Sequence, residues 1–121
     1  MFLIIIDLDG MLSNFWCDDS FVNESIDKII EGFPGDLSVG RKLGTLLSRE
    51  GFQFDCKTQD CQFKSLNDKA KEAYQWEQRF SFAKELVIES LGNEVFYRRF
   101  LKKFLFEFKQ NSSTYYFTKF I

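Results

Sequence analysis

Few side chains in this sequence can do chemistry, and the first of them stand near its start. Asp7 and Asp9 flank Leu8, Gly10 follows, and residues 2–6 before them are five consecutive large apolar side chains. Two carboxylates on one tight loop can hold a divalent cation, and one of them can attack phosphorus. The three cysteines, Cys17, Cys56 and Cys61, are an odd number and read as free thiols in a reducing compartment. The spacing of the last two does not fit a zinc knuckle, and the chain has no histidine to complete one. Without histidine, Ser-His-Asp and Cys-His arrangements are excluded together.

The elements that must position Asp7 and Asp9 can be read from periodicity. Residues 2–6 do not alternate, so a strand there is buried on both faces. Asp9-Gly10 suits a type I′ turn, and Met11 and Leu12 resume apolar character, which predicts strand, tight turn and strand over residues 2–17. Asn23 is the expected N-cap of a helix carrying Val22, Ile26, Ile29, Ile30 and Phe33, stopped by Gly32 and the Pro34-Gly35 pair. Asp36 is expected to cap a second helix, with Leu37, Leu43, Leu46 and Leu47 inward, Gly40 and Gly44 one turn apart, and Gly51 as terminator. Residues 52–64 switch to alternation, the mark of a short hairpin or an ordered loop.

Ser65 with Asp68 opens a long helix to Leu91, whose inward stripe is Ala73, Trp76, Phe80, Ala83, Val87 and Leu91. Gly92 breaks it, and Asn93 caps a further helix to about Gln110. Residues 113–121 are rich in strand formers and return to the sheet. The expected fold is one α+β domain over residues 1–121. A small, mostly antiparallel sheet, made of an N-terminal hairpin and a C-terminal strand, packs against about four helices.

A hydrophobic strand ending in Asp7-Leu8-Asp9-Gly10 resembles the first motif of the haloacid dehalogenase superfamily of phosphatases and related transferases. The resemblance implies a magnesium-dependent phosphoryl-transfer enzyme on a parallel sheet, with Asp7 as nucleophile and metal ligand and Asp9 as general acid and base. It covers about ten residues. The threonine that follows the glycine in that family is Met11 here, and no later pair of acids stands where that family completes its metal site. Asp55-Cys56-Lys57 is a tripeptide of the kind that metal-dependent nucleases pair with a further acid. At 28% charged residues it arises by chance.

The charge is lopsided. Eight acids, Asp7, Asp9, Asp18, Asp19, Glu24, Asp27, Glu31 and Asp36, face Lys28 alone in residues 1–36, for a net −7; the other fifteen basic and ten acidic residues leave +5 on the remainder. A negative field concentrated on one part of a small protein attracts a basic partner and speeds its approach. Phe15 and Trp16 lie within that segment as aromatic anchors. The helix at 93–110 has an apolar face of Phe96, Tyr97, Phe100, Leu101, Phe104, Leu105 and Phe108. Its opposite face is basic, with Phe106 in the middle.

These features favour a non-catalytic inhibitor over an enzyme. In its most concrete form it is a bacterial immunity or antitoxin protein that neutralises a basic, nuclease-like toxin through an acidic surface. The expected partner-binding residues are Asp9, Phe15, Trp16, Asp18, Asp19, Glu24, Asp27 and Phe106, with no metal or cofactor. Direct nucleic-acid binding is disfavoured by the overall acidity. No run approaches the length of a membrane span, and the opening run is too short and too acidic in its flank for a signal peptide, so a cytoplasmic location is expected.

Overall fold

The computed structural model describes residues 7–53 and 55–120. In chain order the elements are β1 (Asp7–Asp9), α1 (Ser20–Gly32), a 3-10 turn (Val39–Lys42), α2 (Leu43–Arg49), β2 (Thr58–Gln62), α3 (Leu66–Phe82), α4 (Lys84–Leu91), α5 (Glu94–Phe108) and β3 (Tyr116–Phe120). The architecture is α+β: an antiparallel sheet of order β1-β3-β2 beside five α-helices. Asp7 stands opposite Phe120, and Cys61 opposite Phe117. The chain's C-terminal strand therefore returns to the middle of the sheet. This antiparallel sheet is not the parallel one that the phosphatase resemblance implies.

The expected N-terminal hairpin does not form after Gly10; its first strand, residues 2–6, lies outside the described residues. Gly10 takes φ +81°, and residues 11–14 coil into a turn in which the Asn14 amide donates to the Gly10 carbonyl at 2.9 Å and the Phe15 amide to the Leu12 carbonyl at 3.2 Å. The reason is packing. A helical turn puts Leu12 and Phe15 on one side, and both are buried, whereas a strand would send them to opposite faces. Strand pairing resumes only as a single bridge, Trp16 with Thr114.

Helix α5 is the centre of the core. Phe100, Phe104 and Phe108, four residues apart, are almost wholly excluded from solvent. The Phe104 ring has centroids of Phe15 at 5.0 Å, Phe80 at 5.3 Å, Phe100 at 5.4 Å, Phe108 at 5.6 Å and Trp76 at 6.1 Å. Such pairs add about 0.5–1.5 kcal/mol each beyond the area they bury. Of the seven residues expected on this face, Tyr97, Phe100, Phe104 and Phe108 are buried and Leu101 and Leu105 half-buried; Phe96, at the margin, is exposed.

The expected long helix from Ser65 to Leu91 is two. Ser65 caps α3, accepting from the Asp68 amide at 3.0 Å, but the helix ends at Ala83 (φ −98°, ψ 22°), and α4 starts at the next residue. No glycine or proline marks the break. It lets α3 pack on α5 while α4 turns against α1. There α1 and α4 approach so closely that a Cβ on Gly32 would lie 2.3 Å from Ser90 Oγ. Gly92, at φ +102°, ends α4, and Asn93 caps α5 by accepting from the Phe96 amide at 2.9 Å.

Three further expectations change. Asp19, not Asn23, caps α1, accepting from the Val22 amide at 3.2 Å. Asp36 closes a local turn instead of capping a long helix: its carboxylate accepts from the Ser38 amide and hydroxyl, and from Lys42 Nζ. Only seven residues of that stretch are α-helical, none of them is buried, and Leu46 is exposed. Gly40 is buried in the 3-10 turn that packs beside β1. Residues 58–62 form one strand, not a hairpin.

Candidate functional site

The acidic segment has a rigid frame. The loop before α1 is held by Asn23, whose Nδ2 donates to the Cys17 carbonyl at 2.7 Å and whose Oδ1 accepts from the Cys17 amide at 3.3 Å. This is why Asn23 is not the N-cap: its amide group mimics a strand partner for a loop residue six positions earlier. The Cys17 thiol is buried beneath, against Asn23 Oδ1 at 3.6 Å and the Asp19 carbonyl at 3.7 Å. Burial pushes that thiol up from its ordinary value.

Asp19 belongs to this frame and not to a free surface. One carboxylate oxygen caps α1 and the other accepts from Lys103 Nζ at 3.2 Å. Burial alone would raise its pKa, but the hydrogen bonds from Val22 and Lys103 outweigh it, and the carboxyl sits below its ordinary range. Phe15 is likewise unavailable as a partner contact. It is buried, stacked on Phe108 at 5.6 Å with an interplanar angle of 5°.

The remaining acids face outward. At 100° per residue Glu24, Asp27 and Glu31 fall on one stripe of α1, opposite the buried Val22, Ser25, Ile26 and Ile29. All three are exposed, and among the described residues none is in a salt bridge. Asp18 is exposed on the loop, and Trp16 is 63% exposed beside it in sequence. Glu31 is one of the eight acids but not of the expected partner-binding residues, although its position four residues after Asp27 and seven after Glu24 carries the signal.

Phe106 is 61% exposed, on the face of α5 opposite the core, among the exposed Arg99, Lys102 and Lys109. That face is basic, whereas the stripe of α1 is acidic. The two helices meet through Asp19 with Lys103 and through Phe21, which packs on Phe96 at 6.5 Å and lies under the Arg99 guanidinium at 4.3 Å. The backbones of Asp7 and Asp9 lie in β1, opposite Phe120 and Thr118; their side chains, and so their expected roles, lie outside what is described. Asp55, Cys56 and Lys57 are exposed, just before β2.

Among the described residues no three His, Cys, Asp or Glu side chains gather as a metal site, and no helix is long and apolar enough to cross a membrane. Comparison of the chain with protein-family models, with curated proteins and with solved structures found no match.

Proposed function

We propose that this protein is a non-catalytic inhibitor that docks a basic partner protein on the outer face of α1 and the loop before it. Its concrete form is a bacterial immunity or antitoxin protein set against a nuclease-like toxin. The reading is carried by Glu31. It lies in the last turn of α1, at the negative end of the helix dipole, where no basic residue offsets it. An acid there costs about 0.3–1 kcal/mol relative to a favourable charge. With Glu24 and Asp27 it forms a row of carboxylates that, among the described residues, makes no internal ion pair, so a basic partner need not break one to engage them. Such a row steers association, while Trp16 supplies desolvated aromatic area to slow dissociation. Phe106, on a basic face, drops out of the partner surface.

The test begins with co-purification of a partner at low salt. Reversing Glu24, Asp27 and Glu31 to lysine together is expected to lower the association rate at least tenfold and to flatten its salt dependence. Trp16→Ala is expected to raise the dissociation rate. A partner whose binding ignores the three reversals overturns the reading. So does magnesium-dependent phosphatase activity that disappears in Asp7→Asn.

A further inference from the structure

The end of β2, the first turn of α3 and the turn leading into β3 line a cleft of about 340 Å³. None of its lining residues belongs to α1. Lys64, Lys69, Asn111 and Thr114 supply its polar wall, Phe63 and Tyr116 part of its aromatic wall, and among the described residues no aspartate or glutamate lines it. That volume is within the range of small-molecule sites.

The unusual member is Lys69, a lysine only 4% exposed. Its Nζ donates to the Gln110 carbonyl at 2.6 Å, the Ser113 carbonyl at 2.8 Å and Ser113 Oγ at 3.2 Å. All three of its hydrogens are matched, yet every acceptor is neutral. Glu72, three residues on, is paired with Arg79 Nη1 at 2.8 Å and receives the Tyr115 hydroxyl at 3.4 Å. A cation taken out of water without a counter-charge is costly, and an anion nearby relieves that cost. Removal from water accordingly holds the Lys69 ammonium below its ordinary pKa.

We infer that this cleft binds a small organic anion, a phosphate monoester or a carboxylate joined to a planar body. Lys69 contributes its charge, its hydrogens being occupied; the exposed Lys64 ammonium and the Asn111 amide are the groups free to donate directly. Phe63 and Tyr116 receive the planar part. Asp68, in the same first turn of α3, is exposed and does not line the cleft.

Phenyl phosphate, benzoate and inorganic phosphate, titrated separately into the intact protein, test this by calorimetry and by amide shifts at Asn111 and Thr114. Saturable binding of phenyl phosphate or benzoate is expected, with inorganic phosphate weaker because it lacks the ring. Lys64→Gln is expected to weaken binding about tenfold without moving the unfolding midpoint. Lys69→Met, if it folds, is expected to abolish it. Absence of saturable binding with all three probes, or binding indifferent to Lys64→Gln, overturns the inference and leaves Lys69 as a pin for the turn before β3.

Discussion

Lys103 Nζ lies 3.2 Å from Asp19 Oδ2, and the two residues are 84 positions apart. One carboxylate thus caps α1 and ties it to the middle of α5, the helix around which the core is built. Asp19→Ala is expected to destabilise the protein by about 1–2 kcal/mol at neutral pH, most of it from the lost cap. Lys103→Met should cost less, since that ion pair is partly exposed. Because the folded-state pKa of Asp19 lies below the ordinary 3.8, its contribution is full above that value and is lost as pH falls through the lowered one. Urea unfolding of both proteins at neutral and at acid pH should therefore show the difference between wild type and Asp19→Ala shrinking in acid.

Phe15 and Trp16 are neighbours in sequence with opposite roles. Phe15→Ala empties a space between Phe104 and Phe108 and should cost about 3–5 kcal/mol. Trp16→Ala should change stability by no more than about 0.5 kcal/mol, since its side chain stands in solvent and only its backbone pairs with Thr114. Chemical denaturation of the two variants checks this directly. Equal losses would show that Trp16 belongs to the core.

The cysteines should react in the order of their exposure. Cys56 is exposed, Cys61 half-buried and Cys17 buried, and burial also keeps the Cys17 thiol protonated. A disulfide-exchange reagent added to the native protein should modify Cys56 first and reach Cys17 only on unfolding. Asn23→Ala removes the side chain that holds the Cys17 backbone. It should cost about 1–3 kcal/mol and make Cys17 react in native buffer.

Glu31→Lys should stabilise the isolated protein by about 0.3–1 kcal/mol, because it replaces an acid with a base in the last turn of α1. The same change should weaken partner binding. Thermal unfolding and association kinetics measured on one variant would separate the two effects. A destabilised Glu31→Lys would mean that the acid has a structural partner and is not held for docking.

Much of this protein is decided locally. Ser65 and Asn93 are caps because their short polar side chains bond amides three residues on, and Gly92 ends α4 because its φ is positive. The α5 core face follows from a 3.6-residue period, as does the outward position of Phe106. The one-sided row of Glu24, Asp27 and Glu31 follows from the same period.

What the sequence left open depended on partners far along the chain. Asp19 and Asn23 are both good caps by type; which one caps was settled by Cys17 occupying the Asn23 amide group and by Lys103 approaching Asp19. Asp9-Gly10 allows a hairpin, but burial of Leu12 in the core and of Phe15 against α5 favours a coiled turn, and β1 pairs instead with a strand more than 100 residues later. Ala83 carries no breaking signal; the helix bends there because α5 and α1 must both be covered. Lys69 reads as an ordinary surface lysine on a helix, and only the turn before β3, folded back over it, buries its charge among neutral acceptors. Local periodicity fixes which face of a helix is apolar. Which polar side chain is stripped of water, and by what, is decided only when distant segments meet.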